Sequence, residues 1–527
     1  MKLVLVNIYP SNTIARYLLS CYILKAYLDS HFVGNCQLSV QVLNFSNSAD
    51  TLKISEKIIR HNPDAIGYSC YIWNIEKVLD LSRNLKERDR FIHILGGPEI
   101  SQEKVALLPD AGNDEYLVIG EGEKTLLNLV LYLVEKKKGG NHKVPAGVIE
   151  CGNVGSEYIP NMDRLVDLDD IPSIYLNGVI DETLYSRQQA FLETTRGCPY
   201  RCKYCVYHKN LPSGSFYSIK RVCDEMEYLI VEKKIVALRI LDSVFTHDIS
   251  RAKRIVEHLI DLKTRDDVRL PWIYWEYTYN KVDSEFIQMT ALLKYKDGIL
   301  NTNQTKPLNR SQIYSDILKD YSVINCVGVQ SFCKEALRAV GRPIIEQSAF
   351  KCFFDSVNKN NIALKVDMIL GLPFETYDSY FQGLEYFLPF FKDTDHILNI
   401  HRLQMLPGSD LEKISDRCGI NYSLQAPHTV FSTNTFPEEA LNYATKLTGL
   451  LFRIVNSPLR GMFFKAKEDS GLSYLNFLEK IYDQAAKDDE LRNSELICQE
   501  FIDDDYWNDR SFRDIPSEWL IKNLLNE

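Results

Sequence analysis

The sequence has no apolar run approaching the roughly eighteen residues that a bilayer-spanning helix requires. Its opening, MKLVLVNIYP, is too short an apolar stretch for a secretory signal and reads as a buried strand. A basic surplus is also missing: 61 Lys and Arg face 71 Asp and Glu, a net charge of −10. General nucleic-acid binding needs a cationic face, so that class is set aside. No internal repeat or low-complexity tract appears, which argues against a repeat architecture. With no export signal, the 13 cysteines are expected to be reduced thiols or cluster ligands in a cytoplasmic protein without a membrane partner.

What the chain does contain is a dense group of thiols. The stretch ETTRGCPYRCKYC places Cys198, Cys202 and Cys205 in the spacing C-x3-C-x2-C. Three thiolates so close can grip one metal cluster, and the loop is too tight to be a disulfide scaffold. Each iron of a cubane cluster usually takes one cysteine, so three ligands leave one iron open. An open position is what makes a metal site catalytic. A zinc site or a chance grouping of cysteines is the plainer alternative. With Tyr204 just before the third cysteine, the motif resembles that of the radical S-adenosylmethionine (SAM) superfamily. The resemblance implies a [4Fe–4S] cluster on these three cysteines whose open iron binds SAM. Arg196, beside them, is a candidate support for the loop.

At 527 residues, with 45% hydrophobic and 25% charged content, the chain has room for several ordinary globular domains. The first 140 residues alternate short apolar runs with amphipathic stretches, which predicts a Rossmann-like parallel sheet with crossover helices. Strands are expected at 2–8, 37–43, 64–69, 91–95 and 116–119, and helices at 13–30, 51–61, 74–88 and 123–137. Ligands of such sheets sit outside the carboxyl ends of the strands. There lie Asn44 and Phe45, the run Ser69 to Asn74 with Tyr71 and Trp73, then Gly96, Gly97, Pro98 and Glu99, and finally Gly120, Glu121, Gly122 and Glu123.

Ser69 is followed by the glycine pair after 26 intervening residues. This spacing resembles the cobalamin-binding domain found ahead of radical SAM domains. The resemblance implies that Ser69, Tyr71, Trp73, Gly96, Gly97, Pro98, Glu99, Gly120, Glu121 and Gly122 line a cobalamin site. DSHFVG, from Asp29 to Gly34, matches the D-x-H-x-x-G motif that supplies an axial histidine to cobalt in some cobalamin proteins. In that family the motif directly follows the first strand. Here it falls at the far end of the first predicted helix, so His31 is read as a helix C-terminus at the opposite edge. Cys21, Cys36 and Cys70 invite comparison with methylthiotransferases, which bind a second cluster there. Buried structural thiols are the commoner reading.

Residues 141–185 read as a linker, with Gly, Pro and acidic residues replacing periodic hydrophobics. From 186 to 405 the strand–helix alternation resumes, with strands expected at 191–195, 235–241, 272–278, 323–329, 363–370 and 397–403. Six such units make a partial (β/α)6 barrel of the TIM type, whose chemistry belongs at the carboxyl ends of the strands. Asp242, Gln330, Ser331, Gly371, Pro373 and Gln404 fall at those ends, and Glu276 lies within the third strand. Singly, an N-cap, a solvated turn or a strand stop would explain them. By resemblance, Tyr204, Asp242, Glu276, Gln330, Ser331, Gly371 and Pro373 are the SAM site, Asp242 meeting the methionine amino group and Gln330 and Ser331 the ribose or carboxylate. The usual Gly-Gly-Glu turn after the second strand is absent; cobalamin-type members carry an acidic residue and a phenylalanine there, as Asp242 and Phe245 do. Glu276 stands where many relatives have arginine. Residues 294–312 form a polar excursion, and 406–527 read as a mainly helical domain that, by resemblance, caps the substrate opening.

GYSCYIWNIE, ILGGPE and GLPFET resemble cobalamin-binding radical SAM proteins with an extra C-terminal domain of unknown function. The resemblance implies a C-methyltransferase. Reduced cluster and SAM give a 5′-deoxyadenosyl radical that takes hydrogen from an unactivated carbon, and methylcobalamin, recharged from a second SAM, delivers the methyl. The implied partners are a small-molecule or peptide substrate and an electron donor such as flavodoxin or ferredoxin. Rearrangement or cyclisation without methyl transfer, methylthiolation and a non-catalytic cobalamin sensor are the alternatives.

Overall fold

The structure, a computed structural model, describes residues 1–11, 15–34, 36–88, 91–101, 114–139, 143–151, 159–160, 165, 167–207, 214–293, 323–457 and 459–487. The polar excursion at 294–312 and the chain beyond 487 lie outside them.

The amino-terminal part is a six-stranded sheet in the order β2-β1-β3-β4-β5-β6. Its strands are β1 (Lys2–Tyr9), β2 (Ser39–Ser46), β3 (Ala65–Ser69), β4 (Ile92–Gly96), β5 (Glu115–Val118) and β6 (Val148–Glu150). The helices are α1 (Leu19–His31), α2 (Thr51–Ile59), α3 (Ile75–Arg88) and α4 (Gly122–Lys137). β1 and β3 are buried on both faces, which is why they are continuous apolar runs rather than alternating ones. β1 to β5 are parallel, and β6 returns antiparallel to β5. That sixth strand falls inside the stretch expected to be linker. Three-residue strands after Gly and Pro carry too little periodicity to be read. The first helix begins at Leu19 rather than 13. His31 is its last residue, stacked on Tyr27 at 4.1 Å with Nδ1 3.1 Å from the Tyr27 carbonyl, at the amino edge of the sheet as expected. Cys21 is buried in the middle of α1, where burial pushes its thiol up to about 12.

The second sheet is parallel throughout, in the order β14-β13-β12-β11-β10-β7. Its strands are β7 (Gln189–Leu192), β10 (Ala237–Ile240), β11 (Trp272–Tyr277), β12 (Val323–Gln330), β13 (Leu364–Leu370) and β14 (Ile397–Arg402); a short hairpin, β8 (Thr195–Arg196) with β9 (Ser215–Phe216), lies between the first two. The barrel is open, and side chains cap both of its edges. On β7, Phe191 N donates to Tyr17 Oη at 3.2 Å, and Tyr175 Oη donates to the Phe191 carbonyl at 2.5 Å. On β14, the Asn456 amide accepts from Leu398 N at 2.9 Å and donates to Leu398 O at 2.7 Å. These contacts satisfy backbone groups that would otherwise template a further strand.

The barrel helices are α5 (Ile219–Glu227), α6 (Ile249–Lys263), α7 (Ser284–Leu292), α8 (Lys334–Ala339), α9 (Gln347–Lys359) and α10 (Tyr377–Phe387). A short helix, α11 (Ser415–Cys418), and a strand pair, β15 (Asn421–Tyr422) and β16 (Val430–Ser432), precede α12 (Glu438–Val455), α13 (Arg460–Ser470) and α14 (Tyr474–Lys487). Phe436, Phe463 and Phe464 of the C-terminal region are buried in one core with Tyr380, Leu384 and the barrel. The described C-terminal helices therefore pack along the flank next to β14. The strand pair reaches further, with His428 Nε2 3.4 Å from Glu99 Oε2 of the first sheet. Tyr17, Leu19 and Tyr22 share one apolar core with Leu168, Tyr175 and the barrel, so the two sheets are continuous in packing. Among the described residues no helix is long and apolar enough to cross a membrane.

Candidate active site

The cysteine loop leaves β7 through Glu193 and Thr194, runs along β8, and turns at Gly197, whose carbonyl accepts from Ser243 Oγ at 2.7 Å. Asp242, one residue after Leu241 at the end of β10, secures the start of this path. Its buried carboxylate accepts from Thr194 N at 2.7 Å, Thr195 N at 3.0 Å and Thr194 Oγ1 at 2.5 Å. Burial raises it to about 6, against the pull of those donors. These donors all come from the approach to the cysteine loop. Phe245 stacks on Trp275 at 4.7 Å and is core.

Within the loop, Cys205 N donates to Cys202 O at 3.0 Å, and Tyr207 N donates to Cys205 Sγ at 3.4 Å. Burial pushes the Cys205 thiol up to about 11, with the neighbouring Cys202 and Cys198 adding to the rise. A bound metal reverses that by taking the thiolate form. Soft thiolate donors held in one short loop fit an iron–sulfur cluster.

Arg342, which follows α8, was not evident from sequence. Its Nη1 lies 3.7 Å from Cys202 Sγ, its Nη2 donates to the Gly328 carbonyl, and its guanidinium sits 5.4 Å over the Tyr200 ring. It places a cation against the Cys202 thiol. Tyr204 packs against Leu372, Leu403 and Met405 behind the loop.

The other strand ends gather as well. Gln330 closes β12 at φ +71°, beside a bulge. A Cβ on Gly328 would lie 2.5 Å from Gln330 Nε2, so that amide folds back over the glycine. Ser331 Oγ donates to Glu375 Oε1 at 2.5 Å and accepts from Cys333 N at 3.0 Å. Glu375, in the turn after Gly371 and Pro373, is a second residue that sequence reasoning missed. It is buried, and burial raises it to about 8 against the pull of Ser331 and the Gly371 and Leu372 backbone N–H groups. A buried carboxyl so perturbed at a strand end is a candidate ligand contact.

Glu276, next to last in β11, lies on the inner face of the barrel. Alternate residues of a strand share one face, and here that face is polar. Tyr274 Oη donates to Glu276 Oε1 at 2.9 Å, and Arg239 lies 4.7 Å over the Tyr274 ring. Lys365 Nζ is 3.2 Å from Asp367 Oδ1, to which Asn399 Nδ2 donates at 2.6 Å. Burial raises Glu276, with Asp367 next in effect; Asp367 itself is lowered against burial by Lys365 and His401.

On the first sheet, the strand order reverses between β1 and β3, the place where doubly wound sheets bind ligands. The Ser69–Asn74 turn lies there. Ser69 Oγ is 2.8 Å from Ser20 Oγ, Tyr71 and Trp73 stack at 4.4 Å, and Trp73 Nε1 donates to Ile8 O at 3.1 Å. Gly97, at φ +119°, brings the β4 loop so close that a Cβ would meet the Cys70 carbonyl at 2.5 Å. Its glycine is explained by loop packing, with Gly96 and Pro98 beside it and Glu99 held by His428. Asn7 Oδ1, two residues before the end of β1, and Glu121 Oε2 are buried without partners. Orphaned polar atoms at the switch point, beside flat stacked aromatics, fit a large polar ring cofactor.

The two halves meet at Arg196. Its Nη2 is 2.8 Å from Glu123 Oε1, its Nη1 3.5 Å from Glu121 Oε1, and its Nε 3.0 Å from Glu193 Oε2. Glu121 and Glu123 flank Gly122 at the start of α4; Glu193 leads into the cysteine loop. One buried guanidinium thus ties the expected cobalamin edge to the expected cluster loop. Burial is the largest influence on all three shifted groups: it raises Glu121 and Glu193 and opposes the rise of Arg196, which the carboxylates produce.

Residues 20–130 match the B12 binding domain family. The cobalamin-dependent radical SAM methyltransferase TokK of Streptomyces tokunonensis is 23% identical over 451 residues, covering 80% of this chain. The chain spans only 61% of that relative's length. The fold of the cobalamin-dependent SAM radical enzyme OxsB superposes with a TM-score of 0.62 at 15% identity, over 92% of this chain and 70% of OxsB. The radical SAM methyltransferase TsrM from Kitasatospora setae superposes with a TM-score of 0.58 at 17% identity, over 80% of this chain and 77% of TsrM. The chain thus matches the B12 binding domain over residues 20–130 and shares the fold of OxsB and TsrM.

Proposed function

We propose that the chain is a cobalamin-dependent radical SAM enzyme that transfers a methyl group to an unactivated carbon. The observation that carries the reading is the Arg196 junction, which fixes the carboxyl edge of a B12-binding domain against the C-x3-C-x2-C loop. Bound cluster and SAM would supply a 5′-deoxyadenosyl radical for hydrogen abstraction, and bound cobalamin would supply the methyl.

The chain's own residues bind, orient and exclude water. Cys198, Cys202 and Cys205 would hold the cluster, and Arg342 donates toward the Cys202 sulfur. Half-buried Gln330 with buried Ser331 and Glu375 would form the polar end of the SAM site, with Gly371 and Pro373 shaping its wall and Asp242 holding the loop in place. At neutral pH Glu375 is protonated, so it can donate as well as accept. Ser69, Tyr71, Trp73 and the Gly120–Gly122 turn would line the cobalamin. The lumen charges, Arg239, Glu276, Lys365 and Asp367, favour a polar small molecule or peptide as substrate. The reading places the enzyme in the cytoplasm, where a protein electron donor is available.

The test is anaerobic turnover with SAM, cobalamin and candidate substrates. Methyl transfer gives 5′-deoxyadenosine and S-adenosylhomocysteine in step with a product heavier by one methylene. 5′-Deoxyadenosine without S-adenosylhomocysteine would replace this reading with rearrangement or cyclisation.

A further inference from the structure

The outer wall of the cysteine loop is also built. Lys203, next to the cluster ligand Cys202, is clamped between two segments: its N donates to Val340 O at 2.9 Å, and its carbonyl accepts from Leu411 N at 2.8 Å. The three segments enclose an open cavity of about 340 Å³ that includes Lys203, Arg338, Arg417, Glu335, Phe374 and Ile414 in its lining. Three cations therefore meet one carboxylate on a chain whose net charge is −10. Glu335 pairs with Arg338 at 3.4 Å, and Lys203 and Arg417 find no other carboxylate in the lining.

Phe374 is the second observation. Its backbone is at φ +66°, which is costly for a bulky residue. Yet the side chain is 39% exposed rather than buried to recover that cost. An exposed aromatic anchor ringed by charge is the anatomy of a protein-docking patch.

We propose that this cavity docks an acidic one-electron carrier protein, with Phe374 as its apolar anchor and Lys203, Arg338 and Arg417 as its cationic rim. The proposal rests on the cluster reading above. Docked there, the carrier lies one residue from a cluster ligand. It loses one electron and the cluster gains one; no bond or proton moves. A rim of this sign steers an acidic partner and makes its association salt-dependent.

The experiment is titration calorimetry of the cluster-reconstituted full chain with a flavodoxin of acidic surface, at about 50 mM and about 500 mM NaCl. The comparison is among wild type, the double variant Arg338→Glu/Arg417→Glu, and Lys351→Glu, an exposed charge on α9 away from the cavity. The double variant should bind about tenfold or more weakly at low salt. Lys351→Glu should match wild type, and wild-type affinity should fall at high salt. Iron content and dithionite reduction should stay unchanged. If charge reversal costs the cluster, Arg338→Gln/Arg417→Gln serves instead. Equal affinity of wild type and double variant, or wild-type binding indifferent to salt, overturns the proposal. So does self-association, or phosphate competing for the cavity without any carrier bound. Failure of cluster assembly would instead sink the reading on which it rests.

Discussion

Replacing Arg196 with Gln would leave Glu121, Glu123 and Glu193 facing one another across the junction with no cation among them. The guanidinium is 8% exposed and contacts all three at 2.8 to 3.5 Å. Removing one partner from a buried ionic group costs about 3–5 kcal/mol, because the remaining charges stay desolvated. The loss should depend on pH, and its sign can be worked out. Burial already holds Glu121 and Glu193 above the ordinary carboxyl value, and Arg196 works against that rise. Without the arginine their folded values climb further. A carboxyl raised in the folded state loses stability as pH increases from its unfolded value, near 4.3, up to its folded one. Arg196→Gln should therefore melt several degrees below wild type at about pH 8 and approach it near pH 5. Arg196→Gln/Glu123→Gln should recover part of the difference. Thermal melts of the apo chain across that range are the assay. Equal melting of Arg196→Gln and wild type at pH 8, or a deficit that grows toward acid, would refute the reasoning.

Three further outcomes follow from the site. Asp242→Ala leaves the Thr194 and Thr195 amides unpaired at about 1–3 kcal/mol each. It should lower iron retention after reconstitution far more than Asp242→Asn, which keeps one acceptor oxygen. Arg342→Met should lower the cluster's reduction potential, by tens of millivolts in an EPR-monitored titration, with Arg342→Lys between; an unchanged potential would show that the guanidinium does not act on the Cys202 sulfur. Glu375→Gln removes a carboxyl that folding holds at about 8. Its stabilisation over wild type should grow with pH from about 5 to about 8 and level off above, read by melts of the apo chain; a pH-independent difference would contradict it.

The strands were legible because parallel strands buried on both faces must be apolar runs, as KLVLVNIY is. The cysteine loop was legible because its ligands are local. Asp242, Ser331 and the glycines of the first sheet could be found as polar or small residues at strand ends, though their partners could not. Arg342 was hidden, since 140 positions separate it from Cys202 and nothing local marks the turn that carries it. Glu375 was not singled out, since its hydrogen-bond partner Ser331 lies 44 positions away. β6 was missed because it leans on β5 for its order. Glu276 shares the lumen face with Tyr274, a placement that strand register assigns and sequence alone could not.

The central claim is that one chain holds both chromophores, brought together across Arg196. Anaerobic reconstitution with iron, sulfide and hydroxocobalamin, followed by metal analysis and absorption spectra, tests it directly. About four irons and about one cobalt should be found per chain, with iron lost and cobalt kept in Cys202→Ala. Full iron with no retained cobalt would contradict it.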